Sequence, residues 1–429
     1  MTARNWRRVR LVEIAAKKRW ALNGGPFGSK LSTKHYSESG VPVIRGGNLS
    51  GVTKFSFDDF VYVAQEKADE LLPNNAHPGD LVFTQRGTIG QIGLIPLVSP
   101  FPRFVISQSQ MKLTPDPEQA DPVFLYYYFS SPNTVYSIKN LAFAAGVPHI
   151  NLDILRNFEI ELPPLHAQRR IAATLSAYDD LIENNLRRIK ILEEMARALY
   201  REWFVEFRFP GHEKVPRVAS AIGPIPKGWE LKTVADSFEI SGGGTPARKE
   251  SRYWDGGVIQ WFAPSDLTAA RTMFVDDSPE HITQLGLTES SARLFPAFSV
   301  MMTSRATIGA IAINTKEACT NQGFITCLPN ERIPLHFLHQ WVTDNVPQFQ
   351  RLASGATFKE ISRGVFKTIS FLHPEPKLVQ QFESRVDPMA KQLLSLQRQV
   401  QNLRVTRDLL LPRLLSGDVP VGEEAALAA

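Results

Sequence analysis

Two cysteines, Cys319 and Cys327, are all that the 429 residues contain. That scarcity excludes a disulfide framework or a four-thiolate zinc site, and the pair is expected to behave as small apolar side chains. No apolar run approaches the about 18 residues needed to span a membrane. The opening Met1-Thr-Ala-Arg-Asn-Trp-Arg-Arg8 carries charge with no apolar stretch behind it. A secretory leader is therefore not expected, and the chain reads as soluble and cytoplasmic. Charge of one sign is also scarce: 48 Lys plus Arg against 43 Asp plus Glu leave +5. That excess permits a nucleic-acid partner without establishing one. Hydrophobic residues are plentiful at 43%, with 26 Phe and 7 Trp, which excludes wholesale disorder and suits two or three domains.

Catalytic motifs are missing too. Gly242-Gly-Gly-Thr-Pro246 lacks the Lys-Ser/Thr of a phosphate-binding loop and the spacing of a dinucleotide fingerprint, and reads as a tight turn. Pro163-Pro164 lacks the preceding Asn or Asp and following aromatic residue of amino-methyltransferases. It suits the first turn of a helix instead. Glu230-Leu-Lys232 and Glu375-Pro-Lys377 have no Pro-Asp shortly upstream, so the metal-dependent nuclease pattern is absent. His336 and His339 share a helix face without a thiolate or carboxylate cluster, and are expected to be surface or half-buried residues. No catalytic or metal-binding residues are assigned.

What is present is a repeat. Trp6 then Leu11 matches Trp229 then Val234, and Pro42–Leu49 matches Gln260–Leu267. Phe83-Thr-Gln-Arg-Gly-Thr-Ile-Gly90 faces Met302-Thr-Ser-Arg-Ala-Thr-Ile-Gly309 at an offset of 219, and Ile106-Ser-Gln-Ser faces Thr320-Asn-Gln-Gly at 214. Gly146 and Ile150 match Gly355 and Ile361, and Pro163 matches Pro374. Five matches in one order make the chain two copies of one unit. The first part of each copy has short β-branched and aromatic runs punctuated by Gly and Pro, with helices expected at 122–129 and 334–341.

The second part of each copy switches to a helical period. Ile171, Leu175, Tyr178, Ile182, Asn185, Ile189, Leu192, Ala196, Leu199 and Trp203 step by four and three, the seam of a coiled coil. Phe382, Val386, Met389, Leu393, Leu396, Val400, Leu403, Arg407, Leu410 and Leu414 repeat that alternation. Asn185 either sets register or is a tolerated polar slot. Pro388 either kinks its helix or marks its start. Gln168–Trp203 would form ~54 Å of helix at ~1.5 Å per residue. The fold class is thus α+β: two mixed α/β globules joined by two long antiparallel coiled-coil helices, with an internal two-fold pseudo-repeat.

The polar loop that recurs within this repeat points to DNA. Arg pairs with guanine edges, Gln and Asn with adenine, and Ser or Thr with bases or phosphates. In the first copy the candidates are Lys30, Lys34, Arg45, Asn48, Gln85, Arg86, Thr88 and Gln108. In the second they are Arg248, Lys249, Ser265, Asp266, Ser304, Arg305, Thr307, Asn321 and Gln322, with Arg252 nearby. For any single residue a solvated loop position is the simpler explanation. The shared Arg-x-Thr-Ile-Gly favours a role for that loop alone, and Gly90 and Gly309 are expected to serve backbone geometry.

Longer stretches resemble the specificity (S) subunits of type I restriction-modification systems. Gly24-Gly-Pro-Phe-Gly-Ser29 with Gly40–Asn48 resembles the opening of one group of target recognition domains. Gly243-Gly-Thr-Pro-Ala-Arg248, Tyr253-Trp254 and Ile259-Gln-Trp261 resemble another. Asn151-Leu-Asp153, Ile160–Leu165 and Gln168 match the approach to the family's central helix. Trp203-Phe-Val-Glu-Phe207, Ile225–Trp229 and Leu410–Gly417 match its junctions and ending. The second copy departs at His373-Pro-Glu-Pro376, where Pro-Pro-Leu is expected.

The resemblance implies a target recognition domain at 1–162, a central conserved helix at 163–208, and a linker with the second recognition domain at 209–372. A C-terminal conserved helix at 373–416 and a flexible tail at 417–429 complete it. Each recognition domain would read one half of a bipartite, asymmetric target in double-stranded DNA, with the helices as spacer. Two modification (methyltransferase) subunits would dock on the helices, and restriction (translocase and nuclease) subunits would join them. S-adenosylmethionine, ATP and Mg would sit on those partners and no cofactor on this chain. The competing readings are a self-sufficient DNA methyltransferase or nuclease, which would transfer or cleave alone, and a coiled-coil scaffold without base readout, which would bind DNA without sequence preference.

Overall fold

The computed structural model describes residues 6–49, 53–144, 149–355 and 358–419. Gly146 and the tail beyond Val419 lie outside them. Two compact units emerge, one of Met1–Ile182 with Asn402–Ala429, the other of Glu183–Gln401. Each therefore contains one globule and part of both long helices.

The same frame of strands appears in both units. In the first, Arg7–Arg10 pairs antiparallel with Glu159–Leu162; in the second, Glu230–Thr233 pairs with Ser370–His373. A sheet ordered Leu22–Gly24, Gln110–Leu113, Leu81–Thr84, Ile92–Leu94 has its counterpart in Ile240–Gly242, Phe324–Cys327, Val300–Thr303, Ile311–Asn314, with Phe274–Val275 added at the edge. A second sheet in each unit carries one parallel pair: Val41–Ile44 beside Phe104–Ile106, and Ile259–Phe262 beside Ala318–Thr320. These central strands are buried along their length, as their continuous β-branched and aromatic runs require. The matches extend to single hydrogen bonds. Leu11 N–H reaches Phe158 O as Val234 N–H reaches Ile369 O, and Ile150 N–H reaches Gln85 O as Ile361 N–H reaches Ser304 O.

The central helix runs Leu165–Tyr200, immediately after Pro163-Pro164, and closes with a wider π turn at Arg201–Val205. Gln168 anchors its start: wholly buried, it accepts from Asp121 N–H at 2.8 Å and donates to Gln119 O and Pro163 O. The C-terminal helix runs Pro376–Leu415, so Pro388 lies inside it and does not mark its start. Pro376 at its first position needs no amide donor there.

In the first unit, Ile171, Ala172 and Leu175 share one core with Leu411 and Leu414 and with the strands. In the second, Tyr200, Trp203 and Phe204 cluster around Phe382 and Phe337. Within each unit, one end of one helix meets the opposite end of the other, so the pairing is antiparallel. Asn185, buried in its seam, donates to Gln399 Oε1 at 3.2 Å, the directional contact a register-setting residue makes. Seam positions Leu192, Leu199, Leu403 and Leu410 are half-buried, while Tyr200 and Leu411, one residue on, are buried.

Gly90 and Gly309 both sit in the left-handed region, at φ +92° and +96°. A Cβ on either would lie 2.8 Å from Val135 Cγ1 or 2.4 Å from Val346 Cγ1. Gly87 also has a positive φ but open space around it, and its counterpart Ala306 adopts φ +61°. Gly309→Ala is therefore expected to cost about 2–4 kcal/mol in urea unfolding, and Gly87→Ala about 1. Equal costs would show that the approach to Val346 does not matter.

Candidate nucleic-acid interface

The ends of the parallel strands gather four loops in each unit. In the first, Ser107 N–H bonds Ile44 O at 3.0 Å, Gln85 N–H bonds Ser109 O at 2.7 Å, and Gln108 Nε2 donates to Gly28 O at 2.6 Å. These contacts bring together segments 25–30, 45–48, 85–91 and 107–109. In the second, Asn321 N–H bonds Phe262 O at 3.0 Å, Ser304 N–H bonds Gly323 O at 2.8 Å, and Thr245 Oγ1 donates to Gln322 Oε1 at 2.8 Å. One backbone scheme thus presents two different sets of side chains.

In the first unit Lys30, Lys34, Arg86, Thr88 and Gln108 are exposed, and Gln85 is half-buried. Arg45 is exposed with its guanidinium on Asp59 O at 2.6 Å. Asn48 is a correction: it is buried, accepts from Arg45 N–H, and donates to Ser56 O and Asp58 O. It closes the loop and presents nothing outward.

In the second unit a depression of about 390 Å³ is lined by Ser265, Arg305, Thr307, Asn321 and Gln322, among others. Arg305 lies 3.8 Å from Glu360 and half of it remains exposed. Asn321 Oδ1 already accepts from Gly323 N–H at 2.8 Å. Ser304, expected as a DNA-contacting residue of this loop, is a correction, being buried at 2% exposure. Asp266 is another, since its carboxylate accepts from Ala263 N–H at 2.7 Å and caps the helix Pro264–Ala270.

Arg248 is held twice over. Its guanidinium forks onto Glu280 at 2.5 and 2.9 Å and lies 4.0 Å over the Trp254 ring. That fork holds the Glu280 carboxyl below the usual range. Lys249 stays exposed. The Gly242–Gly244 run is not a tight turn either: a Cβ on Gly243 would meet Asn321 O at 2.0 Å, so glycine here permits backbone approach.

Sequence reasoning passed over two exposed aromatics on these loops, Phe27 at 77% exposure and Phe358 at 58%. Phe27, flanked by Pro26 and Gly28 in a loop, carried the signal, because it belongs to no apolar period. Phe358 lines the depression beside Arg305.

Cys319 and Cys327 are buried, and burial pushes the Cys319 thiol up to about 12. His336 and His339 are buried, correcting the expected surface or half-buried placement, because their helix Leu335–Asp344 packs inside the unit. No group of three or more His, Cys, Asp or Glu is placed to hold a metal among the described residues. Nor is any described helix long and apolar enough to cross a membrane.

Comparison with known proteins then matches residues 4–194 and 226–387 to the type I restriction modification DNA specificity domain. The type I restriction enzyme MjaIX specificity subunit of Methanocaldococcus jannaschii is 34% identical over 158 residues, 36% of either protein. That match thus spans about a third of the relative's length. The HindI specificity subunit of Haemophilus influenzae is 23% identical over 378 residues, covering 74% of this chain and 81% of that one. Among solved structures, the type I restriction-modification S subunit from M. genitalium aligns with TM-score 0.63 at 17% identity, covering 96% of this chain and 97% of that one. At that identity it attests the α+β fold with its two repeated halves.

Burial also sets a pH dependence. It holds the imidazoles of His339 and His373 at about 4, below the usual 6.5. The unfolded chain protonates both near 6.5, so between pH 6.5 and 4 it binds protons the folded state refuses. Stability should therefore fall on acidification through that window, by at most about 1.4 kcal/mol per pH unit for each histidine. Urea midpoints measured across it should drop, and less steeply in His339→Gln; a flat profile would contradict the burial of either ring.

Proposed function

The chain belongs to the type I restriction modification DNA specificity family, and from that premise we propose that each unit's four-loop edge reads one half of a bipartite DNA target. The observation that carries this is the duplicated edge itself. The same backbone bonds hold Gln85-Arg86-Gly87 in one copy and Ser304-Arg305-Ala306 in the other. An invariant frame with differing side chains suits two different half-sites, hence an asymmetric target. Exposed Arg86 and Arg305 are the side chains best suited to guanine edges. Lys30, Lys34 and Lys249 supply phosphate attraction.

The chain acts as a non-catalytic subunit in this reading, with chemistry supplied by partners in the cytoplasm. Two modification subunits carrying S-adenosylmethionine dock on the paired helices, and restriction subunits using ATP and Mg join them. The helices span the scale of a DNA turn, ~54 Å against ~34 Å, so their length sets the unread gap between half-sites.

Arg86→Ala is expected to weaken one half-site by ~1–3 kcal/mol and Arg305→Ala the other, read by competition binding against single-base variants. Uniform weakening across random DNA would assign them to phosphates instead. Inserting four residues after Leu192 should change the gap that the assembled methyltransferase accepts; an unchanged gap would remove the ruler role. Label transfer from S-adenosylmethionine to DNA by the purified chain alone would overturn the non-catalytic assignment.

A further inference from the structure

The two copies differ where each globule meets its helices. In the first unit that space is filled by a polar plug. Asp179 of the central helix accepts from Tyr127 Oη and from Arg407 Nη1 at 2.7 Å, with Lys54 Nζ at 3.7 Å. Lys54 also reaches Ser176 Oγ at 3.2 Å.

The repeat identifies the counterparts of these four residues. Leu94 N–H bonds Lys54 O just as Ile313 N–H bonds Met273 O, which equates Lys54 with Met273. Counted from the helix starts at Leu165 and Pro376, Asp179 falls where Ala390 falls, and Ala196 where Arg407 falls. Counted from Pro122 and Pro334, Tyr127 corresponds to His339. The plug Lys54, Asp179, Arg407, Tyr127 thus becomes Met273, Ala390, Ala196, His339. All four line a cavity of about 670 Å³ within the second unit.

That volume is the size of a small-molecule site. Its walls include Ile311, Val346, Val386, Met389 and Leu393. Two polar groups on its lining lack partners. His339 is buried with no hydrogen-bond partner for its Nδ1. Glu193 is half-buried, and burial together with Glu194 holds its carboxyl above the usual range. The rim cations do not answer it: Lys190 lies 3.9 Å from Glu194, Arg271 Nε donates to Thr268 O, and Arg197 is exposed.

We infer that this cavity binds a small amphiphilic cation, an amine or guanidinium on an aromatic or hydrocarbon body, with the body against the apolar wall and the cation at Glu193. Such a ligand supplies in the second unit the ring and the cation that Tyr127 and Arg407 supply in the first. The inference is independent of how either unit reads DNA.

Phenethylamine and 2-phenylethanol, which share a body and differ in charge, test it by titration calorimetry or ligand-observed NMR on the full chain. The amine should bind about tenfold more tightly, the size of a charge-assisted hydrogen bond, and Glu193→Gln should erase that preference. Rebuilding the plug with Met273→Lys, Ala196→Arg, Ala390→Asp and His339→Tyr should abolish binding of both, with thermal unfolding confirming the fold. Equal binding of amine and alcohol to the unaltered chain would overturn the inference. So would amine preference surviving Glu193→Gln, amine binding surviving in the folded plugged variant, or no binding by ~10 mM, a weak limit for a fragment of this size.

Discussion

Two long helices, each with one apolar stripe, cannot keep that stripe in water, and most of the architecture follows from how it is covered. Most helical stability comes from packing an amphipathic face and not from propensity. Each stripe here is covered partly by the other helix and partly by a globule. The core that holds Leu81, Phe83 and Phe124 also holds Leu411 and Leu414. The first unit's core is therefore completed by residues from the far end of the chain. Its core needs contacts between residues far apart in sequence, whereas the second unit, Glu183–Gln401, is continuous in sequence.

Within that constraint the repeat separates what must stay from what is free to change. Paired bonds such as Ile150 N–H to Gln85 O and Ile361 N–H to Ser304 O fix the path of the loops. Gly90 and Gly309 keep their left-handed geometry against the helix behind them. The outward side chains carry no such duty. Gly87 against Ala306 changes the exposed surface while the backbone holds, and behind it half-buried Gln85 gives way to buried Ser304. Loops placed by a rigid frame are where recognition can diverge without disturbing the fold.

Much of this was legible in the sequence because it rests on periodicity and on backbone need. The repeat landmarks, the helices at 122–129 and 334–341, and the role of Gly90 and Gly309 all have local signatures. The seam positions Ile171, Leu175, Ile182, Val386 and Leu393 are buried, as are Trp203 and Leu414 at its ends, and the phase shifts only locally between them. Tyr200 and Leu411 are buried where Leu199 and Leu410 were expected. An α-helix turns every 3.6 residues, so a strict 3.5 repeat drifts by about 20° per heptad.

The binding face was harder for a different reason. Asn48, Asp266 and Ser304 are polar residues at turns and a helix start, and composition cannot tell a side chain that serves its own backbone from one that faces a ligand. The histidine pair failed likewise, since nothing in the helix Leu335–Asp344 alone shows that His336 and His339 point inward.

The divergence at the globule–helix junction shows how such a repeat acquires a difference without losing its fold. A partly buried ion pair such as Asp179–Arg407 contributes little net stability, because desolvation offsets much of the attraction. Alanine at both counterparts, Ala390 and Ala196, therefore removes no large stabilising term. It leaves unfilled volume instead, and unfilled apolar volume costs cohesion in proportion to its size. Neither Met273 nor His339 fills what the pair vacated, and the Glu193 carboxylate stays at the wall without a partner. At this junction the first unit answers the Asp179 charge internally, with Arg407 and Lys54. At the same junction the second unit pairs none of its described cations with Glu193 and keeps the volume open.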